Sequence, residues 1–321
     1  MEHEDDKITS CPACGIHQYK KIIMSRDWEF NTGNIYQYFL CSNCGSLYRE
    51  NSGINSKKLY DSSTYGSLNY SLENKYKHRN FIKQTLLNVR DEYWYLNKRR
   101  LIGGLLCKII PAGFPFRGIL TKDMKFLDVG AGVGETAYAL RNLGFNANAI
   151  EPYLPQDMVY KNGLKVEKKF VSDVKSENYY DIVFMNNVVE HLEEPIQTLK
   201  DCYKILKMGG YCLISIPGMG KMTEKYLGNS YIIQAPQHVC LYSEKGIEEI
   251  AAAAGFKVLN IKRNSVYQWY KKSYMLSNNI KFSEDSVNSV KLTRRQKREI
   301  MMEYKDSFAD EGDWYLITLQ K

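Results

Sequence analysis

The chain has 321 residues, 44% of them hydrophobic and 25% charged, enough for a sizeable core and for one large or two smaller domains. No apolar run reaches the roughly 18 residues that a membrane span requires, and the acidic start at Glu2, Glu4, Asp5 and Asp6 is unlike a signal peptide, so a soluble, cytoplasmic protein is expected. The net charge of +8 is uneven: Lys75–Lys125 holds twelve Lys/Arg against three Asp/Glu, and Lys291, Arg294, Arg295, Lys297 and Arg298 form a second cluster. Such charge suits nucleic acid, an anionic membrane or a phosphorylated substrate, or it is a solvated helix face.

Residues 8–50 carry two knuckles, Cys11-Pro-Ala-Cys14-Gly and Cys41-Ser-Asn-Cys44-Gly. Two thiolates separated by two residues reach one metal from a tight turn, and the glycine supplies the turn. Two such pairs make a tetrahedral four-sulfur site suited to zinc. The intervening Lys20–Leu40 alternates as short strands, so residues 8–50 read as a zinc ribbon that depends on the metal for its folding. With all four positions taken by thiolate, the zinc is expected to be structural. Cys107, Cys202, Cys212 and Cys240 lie in apolar segments and read as buried free thiols.

Residues 51–124 form the second part. Asn51–Ser71 is rich in Ser, Asn, Gly and Tyr, and Tyr60–Tyr70 is expected to contribute to a lid. Leu72–Ile110 has helical periodicity, with a break marked by Gly103-Gly104, and Pro111–Phe116 is a loop.

Residues 125–321 alternate strand and helix, the pattern of a parallel sheet with helices on both faces. The first strand runs through Phe126-Leu127-Asp128-Val129 into Gly130-Ala131-Gly132-Val133-Gly134, and a helix follows from Glu135 to Leu143. Glycines allow close approach of a ligand to the backbone, and the helix N-terminus turns its N–H groups towards it. The third glycine of a dinucleotide fingerprint would stand at 135, where the chain has Glu135. Asn148–Pro152 is the second strand. Its acid Glu151, 23 residues after Asp128, is placed to accept from both hydroxyls of a ribose. The third strand lies near Val166–Val171, followed by Asp173, a candidate for an adenine contact. Tyr180–Asn187 is a buried strand, Pro195–Leu206 a helix stopped by Lys207-Met208-Gly209-Gly210, and Tyr211–Ile216 the next strand. The helix Glu244–Ala254, the strand Phe256–Ile261 and the last strand Asp313–Leu319 complete the domain.

The acid-x-Gly-x-Gly-x-Gly stretch at Asp128–Gly134 resembles motif I of class I S-adenosylmethionine (SAM) methyltransferases. Glu190-His191-Leu192-Glu193-Glu194-Pro195, with Leu206–Tyr211, is similar to their signature after the fourth strand, and His238…Ser243…Gly255-Phe256 to the stretch after the fifth. With the ribbon, the chain resembles zinc-ribbon methyltransferases of bacterial nucleotide-sugar and surface-polysaccharide pathways. The resemblance implies a Rossmann-like α/β fold: a doubly wound, seven-stranded, mostly parallel sheet preceded by the ribbon. It implies SAM and structural zinc as cofactors. Asp128, Gly130, Ala131, Gly132, Gly134, Glu151, Asp173 and Asn186 would bind SAM, and Cys11, Cys14, Cys41 and Cys44 the metal. In related sugar C-methyltransferases a Tyr-x-Glu-His cluster acts on the sugar. Here the same stretch reads Ala235-Pro236-Gln237-His238, keeping only the histidine.

SAM brings its own sulfonium leaving group, so the protein mainly positions the acceptor. A hydroxyl acceptor must lose a proton, and histidine suits that role. His238 and His191 are the candidate bases, with packing or capping as the alternative role. The expected reaction is methyl transfer to a hydroxyl or amino group of a small acceptor such as a nucleotide-linked sugar. Two alternatives stand beside it: an RNA methyltransferase using the ribbon and basic helices, and a SAM-binding scaffold without catalysis.

Overall fold

The computed structural model describes residues 10–28, 32–50, 81–96, 100–110, 114–282, 287–307 and 310–321, with single positions 30, 59, 72 and 98 between them. The expected lid at Tyr60–Tyr70 lies outside the described residues. In chain order the first elements are β1 (Tyr19–Arg26), β2 (Ile35–Cys41), β3 (Leu47–Arg49), α1 (Phe81–Leu96) and α2 (Arg100–Ile109). Then come β4 (Lys125–Val129), α3 (Glu135–Asn142), β5 (Asn146–Ile150), β6 (Met158–Val159), β7 (Lys165–Glu167) and β8 (Tyr180–Asn186). The chain continues with α4 (Pro195–Ile205), β9 (Leu206–Pro217), α5 (Lys221–Tyr226), β10 (Cys240–Leu241) and α6 (Glu244–Ala253). It ends with β11 (Lys257–Asn264), α7 (Tyr267–Ser277), α8 (Arg294–Asp306) and β12 (Trp314–Gln320). Two compact units result. The first is Met1–Ile54, Asn187–Leu199 and Ser215–Ile317; the second is Asn55–Asn186, Lys200–Ile214 and Thr318–Lys321.

In the second unit the strand order is β9–β8–β4–β5–β7–β6. β4 pairs in parallel with β5 and with β8, and β5 with β7. Asp128 therefore stands beside Ala149 on one side and Phe184 on the other. Strands buried on both faces need continuous apolar sequence, and β8 supplies it: Ile182, Val183, Phe184 and Met185 are all fully buried. The core beneath is aromatic. Phe114 meets the ring of Phe126 at 5.7 Å and that of Phe184 at 5.0 Å, both edge-on, the arrangement favoured by the ring quadrupoles. The expected seven strands are joined by β6, a two-residue antiparallel addition to β7.

Two glycine pairs take their place inside regular elements. Gly103 and Gly104 lie inside α2, and the interruption falls between Leu96 and Arg100. A Cβ on Gly103 would come within 2.2 Å of the Tyr93 Cβ, so these glycines serve close packing of α2 on α1. Gly209-Gly210 lies within β9 and still makes a local turn there, with Gly209 at φ 76°: the Gly209 N–H donates to the Lys321 carbonyl at 3.1 Å, and the Lys321 N–H to the Gly210 carbonyl at 3.1 Å. Lys321 thus supplies the ladder partner that holds this segment in β9 across the left-handed Gly209.

The first unit contains an antiparallel sheet in the order β1–β2–β3–β10. β10 extends the ribbon strands through Tyr48–Cys240 and Leu47–Leu241 pairs. In the same unit β11, β12 and β9 are neighbours in that order. Ile23, Tyr38 and Leu47 of the ribbon are buried in one cluster with Met222, Ile233, Leu241 and Met275. A ribbon too small for a core of its own gains one this way.

Candidate active site

In the second unit, β4, β5 and β8 run in parallel, so their carboxyl ends share one edge. β5 and β7 lie on one side of β4 and β8 on the other, which makes the end of β4 the point where the winding reverses, the usual ligand crevice of open α/β sheets. The glycine loop occupies that point. Gly130, Gly132 and Gly134 have φ of 69°, 56° and 84°, values that side chains disfavour. Gly134 is further constrained, because a Cβ there would lie 2.6 Å from Val166 Cγ2.

Glu151 follows β5 and is buried. Its Oε2 accepts the Gly132 N–H at 3.0 Å, and its Oε1 the Tyr153 N–H at 3.0 Å. The acid therefore fixes the loop at the end of β4. Burial raises its pKa, and these two N–H donors oppose the rise. Asp128 is more deeply enclosed, and burial pushes its pKa up to about 8, against the lowering effect of the Ala137 N–H. That N–H belongs to the first turn of α3, so Asp128 ties the helix start to β4. Asn186 ends β8 and is exposed at the same edge. Asp173 lies in an exposed 3₁₀ turn after β7, where its Oδ2 accepts the Phe170 N–H at 3.0 Å. Sequence reasoning passed over Tyr153 and Phe170, whose rings meet edge-on at 6.3 Å beside Glu151. Phe170 is 53% exposed, an apolar ring at a polar rim. An aromatic residue three positions after the end of each strand, Tyr153 after β5 and Phe170 after β7, was the available signal.

The two histidines come together in the first unit. The rings of His191 and His238 are 4.7 Å apart and edge-on. His191 Nδ1 lies 3.1 Å from the Gln237 carbonyl and His238 Nδ1 2.7 Å from the Ile232 carbonyl. A carbonyl only accepts, so both Nδ1 atoms carry the proton and Nε2 of each ring is the basic nitrogen. Burial lowers the His191 pKa to about 4. It lowers that of His238 as well, with the neighbouring His191 charge acting in the same direction. Both rings are therefore neutral near pH 7. Glu190 is fully buried, neither carboxyl oxygen has a hydrogen-bond partner, and burial raises its pKa well above the usual range. Its Oε1 lies 3.9 Å from His191 Nε2.

Two ribbon residues that the sequence did not single out hold this segment. Tyr38 donates its hydroxyl to the His238 carbonyl at 2.9 Å, and the buried Arg49 donates to the Pro236 carbonyl. No local pattern could signal contacts across roughly 190–200 residues.

The four ribbon cysteines converge, with Cys11 and Cys44 sulfurs 3.7 Å apart and those of Cys14 and Cys41 3.5 Å apart. All four sulfurs lie within 4.8 Å of one another. A disulfide needs about 2.05 Å, whereas sulfurs bound at about 2.3 Å around a tetrahedral ion are about 3.8 Å apart. The donor set thus fits a zinc-sized ion. Gly15 and Gly45, with φ of 73° and 78°, close the knuckles through N–H bonds to the Cys11 and Cys41 carbonyls. Ser243, the N-cap of α6, donates its hydroxyl to the Cys44 carbonyl at 2.5 Å and seats the second knuckle.

Comparison with known proteins gives the family of the domain. The profile of the methyltransferase domain family matches residues 98–261. The ubiquinone biosynthesis O-methyltransferase of Rickettsia canadensis is 27% identical over 173 residues, 49% of this chain and 72% of that protein. The enzyme of the same name from Dinoroseobacter shibae is 32% identical over 109 residues, 32% of this chain and 42% of that protein. Among solved structures, phosphoethanolamine N-methyltransferase 2 of Haemonchus contortus in complex with S-adenosyl-L-methionine aligns with a TM-score of 0.44 at 16% identity, covering 89% of this chain and 63% of that one. The curated relatives are quinone-pathway enzymes, whereas the sequence pattern pointed to sugar methyltransferases. Matched over just over half its length, the chain belongs to the methyltransferase domain family and is a SAM-dependent methyltransferase.

Proposed function

We propose that the enzyme transfers the SAM methyl group to a hydroxyl oxygen of a small acceptor. The observation that carries this reading is the glycine loop joined to Glu151 at the carboxyl end of β4. In this reading Gly130, Ala131, Gly132 and Gly134 take the amino-acid part of SAM, and Glu151 the ribose hydroxyls. Asp128 supports the loop from below, while Asp173 and Asn186 border the adenine and the methyl group. Oxygen as the acceptor atom is supported by the curated relatives, which are named O-methyltransferases. The cysteine cluster holds structural zinc, which stabilises the ribbon.

The base is assigned to His238 or His191. Each is neutral near pH 7 and has its Nδ1 proton engaged by a backbone carbonyl, so Nε2 can accept a proton. Two acceptor classes are compatible. The ribbon and the His238 segment favour a nucleotide-linked sugar. The names of the curated relatives favour a hydroxylated aromatic ring of the quinone type. Incubation with methyl-labelled SAM and a panel of nucleotide sugars, hydroxylated aromatics and RNA, followed by product mass analysis, tests the reading. An O-methylated small molecule is expected. Labelled RNA alone, or N-methylated product alone, would overturn it. His238→Gln and His191→Gln separate the two bases: loss of turnover with unchanged SAM affinity identifies the base.

A further inference from the structure

Helix α2, Arg-Leu-Ile-Gly-Gly-Leu-Leu-Cys-Lys-Ile, contains no acidic residue. At 3.6 residues per turn its two sides differ sharply. One side carries Gly103 and Cys107 and faces α1: a Cβ on Gly103 would meet Tyr93, and the Cys107 sulfur lies 3.9 Å from the Arg90 carbonyl. The opposite side carries Leu101, Ile102, Leu105 and Ile109, which are 92%, 64%, 62% and 69% exposed. A folded chain rarely leaves four large aliphatic side chains of one helix this exposed. Lys108 is exposed on the same side and Lys98 just before the helix. The two acids of this hairpin, Asp91 and Glu92, are on α1 and half-buried, and Asp91 is paired with Arg90.

We propose that the outer face of α2 docks on an anionic membrane surface, with its aliphatic stripe entering the headgroup boundary and the flanking lysines meeting lipid phosphates. An apolar face bordered by cations and free of acids is the pattern of interfacial helices. Charge decides between candidate occupants. A second copy of this chain would bring two basic hairpins together, which repels. RNA would use the lysines and leave the aliphatic stripe in water. The proposal is independent of the acceptor. It allows an acceptor carried on a lipid to reach an enzyme in which no described helix is long and apolar enough to cross a membrane.

Flotation of the full chain with vesicles tests this. Binding is expected to phosphatidylcholine vesicles containing about a third phosphatidylglycerol, at least tenfold stronger than to phosphatidylcholine alone and weakened by 0.5 M salt. The triple substitution Leu101→Ser, Leu105→Ser, Ile109→Ser should reduce binding at least tenfold. Lys108→Glu should reduce it severalfold. Because the substituted side chains are exposed, SAM affinity and melting temperature should stay at the wild-type values, which separates a docking defect from misfolding. Equal binding of wild type and triple variant would overturn the proposal, as would no binding to anionic vesicles. A dimer in sedimentation equilibrium that the triple variant abolishes, without vesicle binding, would assign the face to a second copy instead. Salt-sensitive RNA binding without vesicle binding would assign it to RNA.

Discussion

Replacing Glu151 with glutamine probes the junction of loop and cofactor with almost no change in shape. Both carboxylate oxygens accept an N–H at 3.0 Å, one from Gly132 and one from Tyr153. Glutamine keeps one acceptor and turns an NH₂ towards the other N–H, so one bond to a charged group is lost and one donor is left facing a donor. Such a loss is worth about 1.5–3 kcal/mol. The same change removes the negative acceptor offered to the ribose hydroxyls. At about 1.4 kcal/mol per tenfold, the SAM dissociation constant should rise roughly 10- to 100-fold. Isothermal titration measures it, and melting with and without SAM gives the intrinsic loss separately. Glu177→Gln is the control: this exposed acid pairs with Lys204 at 3.0 Å, a surface pair worth at most about 1 kcal/mol. A Glu151→Gln protein that binds SAM within about threefold of wild type would refute the assignment of Glu151 to the cofactor.

Three further outcomes are expected. Gly134→Ala places a Cβ 2.6 Å from Val166 Cγ2 at φ 84°; strain plus overpacking should destabilise by roughly 2–4 kcal/mol in urea unfolding, and an unchanged midpoint would contradict the geometry. Metal analysis should find one zinc per chain, Cys41→Ser should abolish it, and a chelator should lower the melting temperature. Acid should destabilise the histidine pair: His191 drops from 6.5 to about 4 on folding. Above pH 6.5 the ring is neutral in both states, so it contributes no pH dependence. As pH falls from 6.5 to 4 the unfolded chain binds the proton first, and stability declines by about 3 kcal/mol in total. His191→Asn should remove that share of the decline in melts recorded between pH 7 and 4, while the raised pKa of Glu190 acts in the opposite sense in both proteins.

The parts of the fold legible in the sequence are those with local causes. Positive φ at Gly130, Gly132 and Gly134 writes glycine at fixed spacing, burial on both faces writes the apolar run of β8, and a four-sulfur site writes Cys-x-x-Cys twice. What was misread depends on partners distant in sequence. Gly209-Gly210 carries a turn signature and Gly209 does take the left-handed φ of 76°, but the turn lies inside β9 because Lys321 pairs with it, which the sequence does not announce. Gly103-Gly104 carries a breaker signature but serves packing on Tyr93. The pairing of β3 with β10 rests on two residues from each strand, too few for any periodicity. At the candidate site, the identities of His191 and His238 were legible. Their meeting at 4.7 Å and the buried, unpartnered Glu190 beside them emerge only when the chain folds.

The central claim is that the crevice at the end of β4 binds SAM. Isothermal titration of the purified 321-residue chain with SAM tests it most directly. One site per chain, competed by S-adenosylhomocysteine and weakened by Glu151→Gln, is the predicted result. A folded, zinc-loaded protein that shows no SAM binding would contradict the account.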